Sequence, residues 1–133
     1  MTDVVKINGT SYNVLVTELS ENFTILYSDN TGRTISVGAR LSLDPLGSFI
    51  GHKVTFKRRK GYERQYDELF DYLLQPRFNG LMFELPHGQG TIKYEGYVSN
   101  GERALKRIDA DTGEVHWDKF SVNIVAMEAQ VTP

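Results

Sequence analysis

The chain has 133 residues, with 15 Lys and Arg against 17 Asp and Glu, a formal net charge of -2 and no cysteine. This length predicts one domain, residues 1–133, that can bury a core, and the charge argues against a global attraction to nucleic acid or anionic membranes. The absence of cysteine excludes disulfides, cysteine-liganded zinc and cysteine nucleophiles.

The first third of the chain is predicted to form short strands separated by turns. Asn8-Gly9 is a strong two-residue hairpin signal because both positions adopt positive φ at low cost. Glu21-Asn22 predicts a turn before the alternating residues 23–27. The cleanest alternation runs from Thr34 to Asp44 and predicts a strand with one face on the core and the other toward water or a partner subunit.

The stretch before the middle of the chain combines apolar and basic residues. Asp44-Pro45-Leu46-Gly47 predicts a turn, which would place Phe49 and Ile50 in a loop. Two large apolar residues there either tuck under the loop or serve an interface. A strand from His52 follows and ends in the basic cluster formed by Lys57, Arg58, Arg59 and Lys60.

One amphipathic helix is predicted at about residues 62–75. Tyr62, Tyr66, Leu69, Phe70 and Leu73 recur at helical spacing on one stripe, and the charged residues of the segment fall elsewhere. Pro76 ends the helix because it cannot continue the backbone hydrogen bonds. The stripe must be buried, so the rest of the chain is expected to form the sheet on which this helix lies.

The remaining segments alternate in the manner of strands. Leu81–Leu85, Thr91–Val98 and a last strand led by Trp117 are separated by predicted turns at 86–90, 99–101 and 109–113. The chain is therefore predicted to be mainly β (α+β), with about nine or ten short strands. We expect an antiparallel β-sandwich or partly closed β-barrel with one packed helix.

No residue pattern indicates an enzyme. His52, His87 and His116 lie far apart in sequence without a metal-ligand partner at i+2 or i+4. The run Asp109–Gly113 lacks the bidentate Glu of a calcium loop, and Gly88-Gln89-Gly90 lacks the lysine of a phosphate loop, so both predict turns. No catalytic residue, cofactor or metal is therefore expected. A hydrolase or lectin-like module would require a pocket that gathers His87, His116 and the Asp109–Asp111 turn.

The basic cluster leaves a nucleic-acid-binding β-barrel open as the alternative function. Lys57 to Lys60 stand beside Tyr62 and Tyr66, an arrangement that could contact DNA or RNA. The tyrosines belong to the stripe that the core needs, however, and acidic residues follow at once. A solvated strand end or an intersubunit surface is the competing interpretation.

The order of elements resembles the tail-tube and distal-tail protein family of long-tailed, siphovirus-like bacteriophages and prophages. The matching segments are Thr34 to Lys60, the helix Tyr62 to Leu74, Leu81 to Leu85, Thr91 to Asn100, and Lys119 to Met127. The opening Ile7–Tyr12 and the ending Ala126–Gln130 are also similar to small prophage tail proteins. At this length we expect no second domain of the kind that larger distal tail proteins carry.

The resemblance implies a tail-tube-like domain that assembles into a ring, usually of six copies, through which the tape measure and then DNA pass. It implies partners that are copies of the chain itself and neighbouring tail proteins, with no membrane. The expected location is the virion tail, and the host cytoplasm during assembly. We expect intersubunit contacts from 48–51, 57–60 and 102–117, and these include Phe49, Ile50, Lys57, Arg58, Arg59, Lys60, Arg103 and Trp117.

Overall fold

A computed structural model describes residues 5–29, 31–33, 38 and 41–133, and this part of the chain folds into strands and one helix. In chain order the elements are β1 (Lys6–Ile7), β2 (Thr10–Ser11), β3 (Leu15–Tyr27), β4 (Gly32–Arg33), β5 (Leu41–Ser42), β6 (Pro45–Lys57), α1 (Glu63–Leu74), β7 (Leu81–His87), β8 (Gly90–Ile108) and β9 (Val115–Ala126). The mainly β prediction with one helix is confirmed. Within the described ranges no helix is long and apolar enough to cross a membrane.

Seven strands form one antiparallel sheet in the order β2-β1-β7-β8-β9-β6-β3, and β4 and β5 form a separate two-stranded sheet. The predicted Asn8-Gly9 turn is confirmed: it joins β1 to β2 with φ values of 51° and 79°. The two halves of the large sheet differ in strand length. β3, β6, β9 and β8 each have 12 to 19 residues, so the prediction of uniformly short strands is wrong for this half.

The large sheet is strongly curved. β7 and β6 are three steps apart in the strand order, which corresponds to roughly 14 Å in a flat sheet. The Pro86 carbonyl of β7 nevertheless lies 3.3 Å from Nε2 of His52 in β6. The sheet therefore folds over its own interior, which fits both predicted architectures, a β-sandwich or a partly closed β-barrel.

Helix α1 packs on the core side of the sheet and completes the core. Its Tyr66, Leu69 and Leu73 are buried, as the apolar stripe predicted, and they pack on alternate residues of the central strands. Phe120 of β9 lies 5.0 Å, centroid to centroid, from the Tyr66 ring in an edge-on contact. Tyr62 does not follow the prediction: it precedes the first helical residue and stays exposed.

Three predicted turns are instead parts of long strands. Residues 21–22 continue β3, residues 45–47 open β6, and residues 99–101 continue β8 across a β-bulge between Val98 and Asn100. Phe49 and Ile50 consequently lie in β6 and not in a loop. The predicted turn at Asp109–Gly113 is confirmed, since the Asp109 carboxylate accepts hydrogen bonds from the backbone amides of Asp111 and Thr112. Most of the strand predicted at Thr34–Asp44 lies outside the described residues.

Candidate assembly surfaces

The outer edge of β3 is the first candidate surface. β3 pairs with β6 over its whole length, and no strand of the described residues pairs with its other side. Its distal half carries exposed apolar side chains, of which Phe23 is 69% exposed. A long unpaired edge with apolar residues readily pairs with another chain, so natural proteins cover or blunt such edges.

A second free edge belongs to the distal part of β8. The pairing of β8 with β7 ends at Gly96, whereas its pairing with β9 continues to Ile108. Residues 97–108 thus have one unpaired side among the described strands, and Leu105 and Ile108 expose their side chains there. The β8–β9 hairpin beyond this point is an arm that extends past the core.

The two free edges bound one four-stranded unit in the order β3-β6-β9-β8. One face of this unit carries α1 and the core. The opposite face is polar over most of its length, apart from one apolar area formed by Leu26, Phe49, Tyr97 and Val125. Its exposed or half-buried polar residues are Glu18, Ser20, Asn22, Thr24, Lys53, Lys57, Asn100, Glu102, Lys119, Ser121 and Asn123.

An apolar groove of about 550 Å³ lies on the helix-bearing face beside the free edge of β8. Its walls come from the end of α1, from the following loop and from β8. The phenyl ring of Phe78 is fully exposed at its rim, and Leu74 is also exposed. The residues that line the groove include Phe70, Leu74, Phe78, Val98 and Gly101.

The structure places the predicted interface residues at several different surfaces. Ile50 is 9% exposed and its amide donates to Oε1 of Gln130, so it belongs to the interior of this copy. Phe49 is half-buried on the opposite face. It lines a second cavity of about 450 Å³ with Leu26, Tyr97 and Val125.

The basic cluster makes contacts within the chain. A guanidinium nitrogen of Arg58 lies 3.3 Å from Nδ1 of His116, and the Arg59 guanidinium lies over the Tyr62 ring. Lys57 and Lys60 are exposed at the end of β6. These contacts add no support to nucleic-acid binding, which stays a prediction.

Arg103 and Trp117 lie together on the helix side of the arm. The Arg103 guanidinium is 4.0 Å from the Phe70 ring centroid and 4.1 Å from that of Trp117. It also contacts the Asp67 carboxylate at 3.3 Å. The two residues predicted at an intersubunit contact thus hold the arm to α1 within one copy.

A polar cluster around the buried His52 joins distant strands of the curved sheet. The Glu21 carboxylate of β3 lies 3.1 Å from Nε2 of His52 and 2.6 Å from Nδ1 of His87. Nδ1 of His52 meets the Tyr94 hydroxyl at 2.8 Å. Burial lowers the pKa of His52 and raises the pKa of Tyr94. His52 is neutral at pH 7, with the Tyr94 hydroxyl donating to Nδ1 and the Nε2–H facing Glu21 and Pro86.

This cluster corrects the prediction that His52 begins a strand. His52 is in the middle of β6 and fully buried, and it meets His87 through Glu21. His116 lies elsewhere, beside Arg58 and Glu114, so the pocket expected for a hydrolase or lectin is not assembled. Across the described ranges no group of three or more metal-ligating side chains is arranged to hold a metal ion.

Sequence reasoning missed the free edges and the groove. Alternation continues without interruption from Leu19 through Glu21 to Phe23, Ile25 and Tyr27, and this continuity was the available signal for one long strand. Phe78 carries no periodic signal, because it stands alone in a loop. Its position over a groove follows only from the packing of α1 beside β8.

Comparison with known proteins gives structural matches only. No protein-family model and no curated protein matches the chain. A chain in the virion of a native gene transfer agent (GTA) particle matches with a TM-score of 0.61 and 8% identity, covering 98% of this chain and 94% of the other. A chain in the tail of an empty GTA particle, computed with helical refinement and C6 symmetry, matches with a TM-score of 0.53 and 12% identity over 89% and 82%. The chain therefore shares its mainly β fold with chains of these GTA particles.

Proposed function

We propose that this protein is a structural subunit of a phage-like virion tail that assembles into rings of identical copies. The shared fold with chains of a GTA virion and of a C6-symmetric GTA tail supports this class of function. Within the tail, we assign it to a tube or distal-tail ring, where it contacts neighbouring tail proteins. Assembly takes place in the host cytoplasm.

The observation that carries the proposal is the pair of free strand edges. β3 offers 13 residues on one side of the four-stranded unit, and β8 offers 12 residues, 97–108, on the other. The unit contains an even number of antiparallel strands, so β3 of one copy runs antiparallel to β8 of the next. Head-to-tail pairing of these edges continues the sheet from copy to copy and closes it into a ring.

The polar face of the unit fits the inside of such a ring. Four strands from each of six copies, 24 in all, would give a barrel wider than the 16- to 18-stranded barrels that enclose an aqueous channel. The helix and the core then lie outside, and the Ser, Thr, Asn, Lys and Glu side chains face the channel. This channel is where the tape measure and DNA would pass.

The test measures assembly and locates the paired edges. Light scattering coupled to gel filtration, with negative-stain microscopy, should show rings or short tubes as protein concentration rises. Hydrogen exchange should then show new protection in residues 15–27 and 97–108. A strict monomer at every concentration, alone and with neighbouring tail proteins, would refute the proposal. Rings in which neither of these two segments gains protection would refute the edge pairing.

A further inference from the structure

We propose that the apolar groove beside β8 is the docking site for Phe23 and Ile25 of the neighbouring copy. This inference rests on the ring proposed above and adds the register and the contact that fix one copy against the next. The occupant is a second copy of this chain because both surfaces border the two free edges.

Phe23 and Ile25 point toward the helix-bearing face. Glu21 contacts His52 in the interior, so its side chain points to that face, and side chains two residues apart on a strand share a face. The pairing of β3 with β6 is regular from Glu18 to Leu26, which keeps this alternation intact. Phe23 and Ile25 are nevertheless exposed, because the core of their own copy ends before it reaches them.

The groove lies on the same face at the opposite edge of the unit. Its walls include Phe70 and Leu74 of α1, and Val98 and Gly101 border the free edge of β8. When two copies pair edge to edge, the side chains of β3 that point to the helix side must project over this groove. A partner strand on β8 therefore covers the groove with apolar side chains.

The requirement that Phe23 stays on the helix side selects the register. Placing Phe23 opposite Gly101 puts Ile25 opposite Ser99, at the β-bulge of β8. Gly101 pairs with the buried Val122, so it lies on the helix side, and this register keeps Phe23 on the same face. A shift by one residue would turn every β3 side chain to the other face.

The space and chemistry of the groove suit these two side chains. A dry cavity of about 150 Å³ accommodates one benzene ring, so a groove of about 550 Å³ has room for a phenyl ring and a branched aliphatic chain. A large aromatic residue opposite a glycine at a sheet edge covers the backbone that the glycine leaves bare. The exposed rings of Phe78 and of the incoming Phe23 are both removed from water by the contact.

The first test is disulfide trapping, which the absence of native cysteine makes clean. Protein with Ile25→Cys is mixed with protein carrying Ser99→Cys, and the mixture is oxidised under assembly conditions. We expect covalent dimers in the mixture and none from either variant alone, because the contact is head-to-tail. Both substitutions in one chain should give a ladder that ends at the ring. The matched control uses Glu102→Cys in place of Ser99→Cys. Glu102 lies on the same free edge, but its side chain is on the polar face.

The second test removes the side chains that the contact buries. Phe23→Ser and Phe78→Ser should each weaken association by about tenfold or more, as buried aromatic anchors do. Both side chains are exposed in the single copy, so the unfolding of the monomer should stay unchanged. Tyr62→Ser is the control, since it removes an exposed aromatic ring that belongs neither to the groove nor to either free strand, and association should remain within about twofold.

The outcomes separate this inference from the proposed function. Rings that form without the Ile25–Ser99 cross-link, or that cross-link equally through Glu102→Cys, overturn the docking and leave the ring proposal standing. Association that tolerates both Phe→Ser changes also overturns it. A chain that never assembles refutes the ring and, with it, the docking.

Discussion

Replacing Arg103 tests how the β8–β9 arm is held to α1. Its guanidinium is stacked between the rings of Phe70 and Trp117 at 4.0 and 4.1 Å and contacts Asp67 at 3.3 Å. Arg103→Ala removes both ring contacts and the ion pair while leaving the rings in place. We expect the folded monomer to lose stability, because the arm loses these contacts with α1.

The expected loss follows from the exposure of the partners. A cation over an aromatic face contributes about 0.5–1 kcal/mol at an exposed site and about 2 kcal/mol when desolvated. The Arg103 side chain is 18% exposed, so the two ring contacts together should contribute about 1–3 kcal/mol. Asp67 is 52% exposed and adds less than about 1 kcal/mol.

Urea unfolding followed by tryptophan fluorescence measures this loss directly, since Trp117 is the single tryptophan of the chain. Arg107→Ala is the matched control, because it removes an exposed cation from the same strand. Arg103→Lys keeps the charge but loses the planar guanidinium, so it should recover less than half of the loss. A double-mutant cycle with Phe70→Leu isolates the stacking contribution, for which we expect about 0.5–2 kcal/mol.

Two results would refute this reasoning. One is a loss of stability from Arg103→Ala that is no larger than the loss from Arg107→Ala, and the other is a cycle with Phe70→Leu that shows no coupling. Normal monomer stability together with lost assembly would instead place the Arg103 contact between copies, as the sequence predicted.

Three further predictions concern the core and the buried cluster. Phe120→Ala should lower the free energy of unfolding by about 3–5 kcal/mol in urea, because three aromatic rings pack around it and the cavity cannot close; a loss below about 1 kcal/mol would contradict this packing. Tyr66→Phe should lower the free energy of unfolding by about 0.5–3 kcal/mol, because the Asp118 carbonyl loses the hydroxyl donor that lies 2.6 Å away. In the unsubstituted protein, burial raises the pKa of Tyr66 to about 12, which ultraviolet titration should show. Burial lowers the pKa of His52 in the folded state. Its contribution to the free energy of unfolding is therefore complete above about pH 6.5 and is lost as pH falls toward the folded pKa, at up to about 1.4 kcal/mol per pH unit. We expect His52→Gln, with Glu21 kept, to reduce the fall of the urea midpoint between pH 7.5 and 5, and an unchanged fall would assign it to other groups.

The helix and the fold class were predictable because their signals are local. The apolar stripe of α1 repeats over three turns, and every member from Tyr66 onward packs as the spacing requires. The hairpin at Asn8-Gly9 followed from residues that tolerate positive φ. Neither feature depends on knowing what lies across the sheet.

The long strands were not predictable from turn-forming residues alone. Ser99-Asn100-Gly101 is a turn signal by composition, yet here it forms a bulge inside β8, with the Asn100 side chain bonded to Asn123 across the strands. The Glu21 side chain contacts the buried His52, and the Asn22 side chain lies on the polar face. Both polar residues therefore belong to one continuous strand, although their composition predicted a turn.

The even strand number of the four-stranded unit has a consequence for the size of the proposed assembly. Strand direction alternates across every junction regardless of how many copies join, so hydrogen-bond polarity favours no particular number. The number of copies in the ring must instead depend on how sharply each four-stranded unit bends. This bend is set by the right-handed twist of the strands and by three irregularities in the pairing along β8. Substitutions at these irregularities should therefore change the diameter of the tube before they abolish its closure.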